Sequence, residues 1–436
     1  MKRNKAIHWL YGELPVLESS GILTSEVAQR LREYYGPVTI RSRRQTAMLL
    51  LGVLGALLIG LGIILLLAHN WNDLPRSVRT WLSFAPLVAG QVLAGWTLLR
   101  RPDSPAWRES TGLFLALAIG ASISLVSQTY HIPGDMPAFL LTWVVLAAPL
   151  IYLLRATTVA LLYLAGITWW TGAARFEGGP TLLFWPLAAF LVPYVWMVYQ
   201  SNPEGPRMRL LSWAICAALP IALGLVLRHN LPGTWILAYS GLVSALLLWG
   251  RHPLKHHRNR AFYVAGFIGL IAVALILTFK DVWRHIGWDY YRGGDWVDLQ
   301  DYVVAAACLA AGILPAVRGA RQGDWFAAML GGLPVLALLG FVTSSLDFSP
   351  YLATAMLNAY LLALGLILLS KGLAGDKLLP VNIGMVILSL LIGVRFFDAQ
   401  ISFTLRGILF ILLGAAFLGV NVMLARHAAA RKGTSL

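Results

Sequence analysis

Long runs of apolar residues alternate with short polar segments along most of the 436-residue chain. Each run has about 17–23 residues, enough for a helix to cross a hydrocarbon core about 30 Å thick at about 1.5 Å per residue. The pattern predicts about fourteen membrane-spanning helices. They are centred in residues 47–69, 78–99, 111–129, 137–154, 156–172, 181–199, 208–227, 233–250, 261–279, 302–317, 325–342, 350–370, 380–396 and 403–425.

The composition supports this interpretation and excludes the common alternatives. The chain is 58% hydrophobic and 12% charged, whereas soluble domains are about 45–50% apolar and about 25% charged. Two cysteines are too few for a secreted disulfide scaffold. Continuous apolar runs also differ from the alternating ten-residue segments of a membrane β-barrel. The expected fold class is therefore all-α, a polytopic transmembrane helical bundle.

The basic residues are distributed unevenly between the two sides of the predicted membrane. The formal net charge is +15, which in a soluble protein would suggest nucleic-acid binding. With a cytoplasmic N-terminus, 25 of the 34 lysines and arginines fall in cytoplasmic segments and 9 in outer ones. The charge thus predicts topology, with both termini cytoplasmic. The lipid bilayer is the expected partner, and no nucleic acid is expected.

Residues 1–46 are the only stretch long and polar enough for an element outside the membrane. Helical spacing and capping residues predict two short helices there, about His8–Glu18 and from Thr24 or Ser25 to Gly36. Such a cytoplasmic hairpin is too small to fold alone. It packs either on its own membrane domain or bilayer surface, or on another protein or a second copy. The transmembrane domain is expected at 47–425 and a cytoplasmic tail at 426–436.

The third apolar run carries small and polar residues three or four positions apart. This stripe comprises Ala116, Gly120, Ala121, Ser124, Ser127, Gln128 and His131. One interpretation is close helix packing, with hydroxyls bonded back to carbonyls of their own helix. The other is the wall of a wet cavity that opens outward. The sequence leaves both open.

Several polar residues are predicted at the outer ends of the first, third, thirteenth and fourteenth spans. Arg406 lies one turn inside the last span and needs a partner there; Asp73, Asp135 and Asp398 are the candidates. If these helix ends converge, they form a charged, aromatic-lined pocket; otherwise they are interfacial anchors and helix caps. The candidate ligand-binding residues are Asn70, Trp71, Asn72, Asp73, Arg76, Gln128, Tyr130, His131, Asp135, Arg395, Asp398 and Arg406.

The long outer loop, residues 280–301, alternates carboxylates with tryptophans and tyrosines. Aromatic residues beside carboxylates can bind sugars or cations, but an amphipathic segment in the membrane interface explains them equally well and is preferred. No metal-ligand spacing, phosphate-binding loop or hydrolase motif occurs in a usable setting. No cofactor, metal or catalytic residue is therefore assigned.

Three motifs give the chain a family resemblance. They are residues 21–24 with the helix after them, the end of the first span from Ala68 to Arg76, and Gln128–His131 with the segment up to Trp143. Together with Arg395–Asp398 and Arg406, these stretches resemble a bacterial membrane-protein family catalogued as domain of unknown function 2157. The resemblance implies a polytopic inner-membrane protein with a small cytoplasmic N-terminal helical element. It implies no catalytic residue.

Three classes of function remain. The first is a carrier- or flippase-like protein with an outward-facing polar pocket for an anionic or amphipathic ligand, and this is the preferred hypothesis. The second is a scaffold or regulatory protein that acts through its N-terminal hairpin. The third is a glycosyltransferase-like enzyme that uses a lipid-linked donor, with Asp73 as the candidate carboxylate; enzymatic activity is not expected.

Overall fold

The chain is helical throughout the part that the structure, a computed structural model, describes. This part comprises residues 2–35, 71–227, 233–251, 260–284, 286, 297–345, 350–375, 377–398, 408, 411, 414, 415, 418 and 419. It contains no strand, in agreement with the all-α prediction.

Seventeen α-helices are described, and those within residues 71–227 are joined by short connections. The first five are α1 (Lys2–Ser19), α2 (Ser25–Tyr35), α3 (Arg76–Arg100), α4 (Pro105–Tyr130) and α5 (Met136–Leu153). The next six are α6 (Thr157–Phe176), α7 (Phe184–Ala189), α8 (Val192–Ser201), α9 (Pro206–Val226), α10 (Thr234–Arg251) and α11 (Arg260–Ile276). The last six are α12 (Lys280–Arg284), α13 (Val297–Arg321), α14 (Trp325–Leu330), α15 (Gly332–Ser345), α16 (Pro350–Ala374) and α17 (Leu378–Asp398). Short 3-10 turns lie at Trp71–Asp73 and Thr181–Leu183.

Nine helical segments in the described residues are long and apolar enough to cross a membrane. They are Arg76–Arg100, Pro105–Tyr130, Met136–Leu153, Thr181–Ser201, Pro206–Val226, Gln300–Arg321, Trp325–Ser345, Tyr351–Ala374 and Leu378–Arg395. Three more predicted spans are helical as α6, α10 and α11. The protein is therefore a multi-pass helical membrane protein. The predicted spans 47–69 and 403–425 lie wholly or largely outside the described residues, so the count of about fourteen stays a prediction.

Two of the nine segments are interrupted, which the apolar runs did not indicate. Thr181–Ser201 consists of a 3-10 turn followed by α7 and α8, with a turn at Phe190 and Leu191. Trp325–Ser345 breaks at Gly331 between α14 and α15. Run length alone cannot show such breaks, because the residues on both sides of them are equally apolar.

Local sequence explains several helix boundaries near the site described below. The Asp135 side chain accepts a hydrogen bond of 2.6 Å from the amide of Ala138 and so caps the start of α5. Prolines occupy the first helical position of α4 and α9, where a missing amide hydrogen is harmless. The end of α4 is closed by His131 in a left-handed conformation (φ 52°, ψ 40°).

The chain divides into two compact units, residues 1–81 and 82–436. In the first, α1 begins earlier than predicted and continues through Pro15. The Tyr11 hydroxyl donates a 3.3 Å hydrogen bond to the carbonyl of Arg32 in α2. The cytoplasmic hairpin and its boundary at residue 46 remain predictions, since residues 36–70 lie outside the described part.

The second unit contains two large clusters of buried apolar side chains. One is built mainly from α4 to α9, and the other mainly from α10, α11 and α13 to α17. The helix α10 contributes to both, with Leu237 in the first and Ile236 in the second. The helix α13 does so too, with Val304 in the first and Ala316 in the second, so α10 and α13 connect the two clusters.

Candidate functional site

A groove of about 1130 Å³ lies between α3, α4 and α5. Its lining comes from residues 84–98 of α3, residues 115–128 of α4, and residues 132–153 of the following loop and α5. All of them belong to the second unit. From Met136 to Leu153 the groove follows α5 for about 26 Å, at 1.5 Å per residue. This length approaches the thickness of a hydrocarbon core, about 30 Å.

Most polar side chains of the groove lie toward one of its ends, beside apolar residues such as Met136 and Phe139. Here α4 ends and α5 begins, and the polar lining side chains carry hydroxyl, amide and carboxylate groups. They are Ser124, Ser127, Gln128, Asp135 and Thr142. Among the described lining residues, Asp135 alone bears a charge. This end therefore offers hydrogen bonds and one negative charge.

The other end of the groove is apolar. It is lined by Leu98 of α3, Leu115 of α4, and Leu150 and Leu153 of α5. Gln91 supplies an amide part of the way along α3. The polar side chains of the groove are thus concentrated toward one end, which matches the two parts of an amphipathic molecule.

Buried polar contacts fix the helices that form the groove. The Ser122 hydroxyl donates a 2.7 Å hydrogen bond to the carbonyl of Ser83, joining α4 to α3. The indole nitrogen of Trp143 donates a 2.7 Å hydrogen bond to the carbonyl of Ala116, joining α5 to α4. Gly120 permits this approach, because a Cβ atom there would lie 2.8 Å from the Trp143 ring. The groove is therefore bounded by helices that hold each other in place.

Both interpretations of the stripe on the third apolar run apply, each to a different part of α4. Ala116 and Gly120 are buried against Trp143, as close helix packing requires. Ser124, Ser127 and Gln128 line the polar end of the groove. The sequence spacing could not separate these two parts, since both present small or polar residues on one face.

Four predicted site residues lie around the loop between α4 and α5. Gln128 and Asp135 line the groove, and Asp135 also serves as the helix cap described above. Tyr130 and His131 are exposed. The backbone amide of His131 bonds to the carbonyl of Ser127 in the turn that ends α4.

Three other predicted site residues belong to the first unit. Trp71 and Asp73 form the short 3-10 turn, with Asp73 exposed. Arg76 begins α3 and is exposed. Asn72 lies in the same turn, but its side chain is not among the described groups, and Asn70 lies outside the described residues.

Arg395 contacts the segment after α11. Its guanidinium donates a 2.9 Å hydrogen bond to the hydroxyl of Thr278 and lies 5.1 Å from the centre of the Phe279 ring. Asp398 ends α17, but its side chain and the whole of Arg406 lie outside the described part. The convergence of the outer helix ends into one pocket therefore stays a prediction.

The outer loop shows one buried aromatic residue and one exposed ion pair. Trp283 is buried, and its indole nitrogen bonds to the carbonyl of Leu277 at 2.8 Å. Asp281 and Arg284 pair at 2.9 Å. Residues 287–296, which carry most of the predicted aromatic–carboxylate alternation, lie outside the described part. Within the residues described, no group of three potential metal ligands occurs.

Sequence reasoning missed a carboxylate that joins three helices. Glu109 of α4 accepts hydrogen bonds from the amides of Thr157 and Thr158 at 3.0 and 2.8 Å, and from the Thr158 hydroxyl at 2.8 Å. Its carboxylate also lies 3.4 Å from the guanidinium of Arg207 in α9. The available signal was its isolation, because Glu109 is the only acidic residue between Asp103 and Asp135.

A second missed residue, Arg175, closes the C-terminal end of α9. Its guanidinium donates hydrogen bonds to the carbonyls of Gly224, Leu225 and Leu227. Gln300 of α13 bonds to the neighbouring carbonyl of Val226 at 3.0 Å. Cations and donors at this end of a helix satisfy its last carbonyls. The cluster therefore has a structural role.

One comparison with known proteins covers the part of the chain that forms the groove. Residues 16–160 match the model of a family described as predicted membrane protein (DUF2157), which confirms the resemblance predicted from the sequence motifs. The matched segment includes every residue that lines the groove. No curated protein and no solved structure shows significant similarity to the chain.

Proposed function

We propose that this multi-pass membrane protein is carrier- or flippase-like and that the groove between α3, α4 and α5 binds an amphipathic molecule of the membrane. The observation that carries the proposal is the concentration of polar side chains toward one end of a continuous, otherwise apolar groove. A hydrocarbon chain would lie against the leucines, and a polar group would reach Ser124, Ser127 and Gln128. The groove is large for a small-molecule site, which typically measures about 300–1,000 Å³.

The charge at the polar end narrows the choice of ligand. Asp135 is negative, so this end favours a neutral or cationic polar group over an anion. Of the candidate arginines Arg395 and Arg406, Arg395 is engaged with Thr278 and Phe279, and Arg406 lies outside the described part. An amphipathic lipid therefore fits better than a small free anion.

Filling the groove should abolish lipid movement without unfolding the protein. A Cβ atom at Gly95, which lines the groove, would meet no atom within 4 Å, so Gly95→Phe places a ring there without a backbone clash. Gly393→Phe is the matched control, because Gly393 in α17 is equally open and lies elsewhere. We expect fluorescent phospholipid in proteoliposomes to cross between leaflets with the wild-type and Gly393→Phe proteins, and at least tenfold more slowly with Gly95→Phe.

Leaflet crossing is measured by dithionite quenching of the fluorescent headgroup, and thermal unfolding of both variants checks their folding. Wild-type protein that moves lipid no faster than protein-free vesicles would contradict the carrier function. Equal rates for Gly95→Phe and wild type would exclude the groove as the route.

A second candidate function is a scaffold that associates through the N-terminal helices. One observation favours it: Trp9, Val16, Ile22 and Tyr34 of this short region are large apolar residues that are 58–79% exposed, and where such residues form a contiguous patch they mark an interaction surface. We expect Trp9→Ser with Tyr34→Ser to convert an associated form of the protein into monomers. Light scattering in detergent measures the mass, with Trp213→Ser, an exposed site in α9, as the control. A wild-type monomer would argue against self-association.

A further inference from the structure

Arginines follow directly after the apolar end of the groove. On α3, the last lining residue is Leu98, and Arg101 comes three residues later, on the same helical face. Its amide still bonds to the carbonyl of Thr97, so the helical course continues to this point. On α5, the last lining residue is Leu153, and Arg155 follows two residues later.

The third helix of the groove adds another arginine at the same end. Arg108 precedes the lining residue Leu115 by seven positions, which is two helical turns, and so lies on the lining face of α4. The Nε atom of Arg108 is buried and has no hydrogen-bond partner among the described residues. Arg101 and Arg155 are exposed. On each of the three helices, or directly after it, an arginine thus lies beyond the lining residues at the apolar end.

Specific contacts hold these arginines at one end of the unit. The hydroxyls of Thr97 and Thr111, both buried, lie 3.1 Å apart and join the end of α3 to the start of α4. Glu109 joins α4 to the first residues of α6 through Thr157 and Thr158. Since Arg155 immediately precedes α6, these contacts place Arg101, Arg108 and Arg155 around the same helix ends.

The balance of charge at this end is positive. The helix ends and connections on this side contain six arginines, at positions 100, 101, 108, 155, 207 and 209, against Asp103, Glu109 and Glu204. Glu109 is already engaged by the amides of α6 and by Arg207. The guanidinium groups nearest the groove therefore exceed the carboxylates available to neutralise them.

We propose that Arg101, Arg108 and Arg155 form a rim that binds the phosphate of an anionic phospholipid whose acyl chain lies in the groove. Guanidinium groups bind phosphate through paired hydrogen bonds. The leucine-lined end of the groove, directly beside the rim, accepts the hydrocarbon. The charge pattern of the sequence places this rim on the cytoplasmic side, where anionic lipids attract basic residues. This inference rests on the proposed function and adds a second position for a lipid headgroup, at the end of the same groove opposite Ser124, Ser127 and Gln128. The negative charge of Asp135 bears on the first position, and the arginines bear on the second.

A binding experiment separates this inference from lipid movement. Detergent-solubilised protein is titrated with phosphatidylglycerol and with phosphatidylcholine of the same chains, and native mass spectrometry counts the bound lipid. We expect the wild type to prefer phosphatidylglycerol, and Arg101→Gln with Arg155→Gln to lose about fivefold in this preference for each arginine removed. Arg318→Gln with Arg321→Gln, two exposed arginines at the end of α13, is the matched control and should keep the preference.

Three results would overturn the inference. They are an equal affinity of the wild type for both lipids, an unchanged preference in the Arg101/Arg155 variant, or displacement of the bound lipid by millimolar inorganic phosphate. The last would indicate a site for a soluble anion. Each is distinguishable from failure of the carrier proposal, because lipid crossing in proteoliposomes is measured independently of headgroup preference.

Discussion

Replacing Gly241 by leucine is expected to prevent the membrane domain from folding. Gly241 lies in α10, and a Cβ atom there would be 2.3 Å from the carbonyl oxygen of Cys308 and 2.4 Å from its carbonyl carbon. Both atoms belong to the backbone of α13, so no rotation of a side chain can relieve the clash. The two helices would have to separate along their contact.

The opposite face of α10 also lies too close to the backbone of a neighbouring helix to leave room for a Cβ atom. A Cβ atom at Gly266 of α11 would lie 2.3 Å from the backbone nitrogen of Leu247, and one at Gly250 would lie 2.3 Å from that of Tyr263. Small residues allow such close approach of helices in membranes. Since α10 contributes to both apolar clusters, moving it disturbs both. Overpacking a core typically costs about 1–3 kcal/mol of stability. We expect Gly241→Leu and Gly266→Leu each to destabilise the protein by at least about 3 kcal/mol.

Thermal unfolding and size-exclusion profiles in detergent measure this effect. Gly95→Leu is the control, because a Cβ atom at Gly95 meets nothing within 4 Å, and its profile should match the wild type. A Gly241→Leu protein that is monodisperse and unfolds at the wild-type temperature would show that α10 and α13 are not in backbone contact.

The helices were predictable from the sequence because each span must satisfy its own backbone hydrogen bonds in lipid. The apolar run 208–227, for example, corresponds to α9 at Pro206–Val226. The glycine contacts of α10 were not predictable. In the sequence, Gly241, Gly250 and Gly266 look no different from Gly95 in the run 78–99, where a Cβ atom would meet nothing within 4 Å. Which glycine meets a backbone depends on helix neighbours, and periodicity does not specify neighbours.

The candidate site was predictable only in part, for a related reason. The polar stripe of α4 drew attention to Gln128 and the loop up to Asp135, and both residues line the groove. The stripe could not identify α3 as the opposite wall, since Ser83 and Ser122 are 39 residues apart. Glu109 was overlooked because its partners, Thr157 and Thr158, are 48 and 49 residues away. Long-range partners decide the role of a polar residue in this protein, and its immediate neighbours do not reveal them.

Replacing Glu109 by alanine is expected to destabilise the protein by about 2–4 kcal/mol, since hydrogen bonds to a charged group contribute about 1.5–3 kcal/mol and are not additive. The substitution leaves the first amides of α6, at Thr157 and Thr158, without an acceptor. Glu109→Gln keeps one acceptor oxygen and should fall between alanine and wild type. Arg207→Ala should cost less than about 1 kcal/mol, because the pair is long at 3.4 Å and the Arg207 side chain is 39% exposed.

The order of these effects tests what Glu109 does. Unfolding in mixed micelles titrated with denaturing detergent gives the free energy for each variant. Asp103→Ala is the matched control: this carboxylate lies in the connection just before α4 and is exposed, so its removal should change stability by less than about 0.5 kcal/mol. If Arg207→Ala proved as costly as Glu109→Ala, the ion pair would be the main contribution. Capping of α6 predicts that Glu109→Ala costs more than Arg207→Ala. Only the loss of the Glu109 carboxylate removes the acceptor of the two amides.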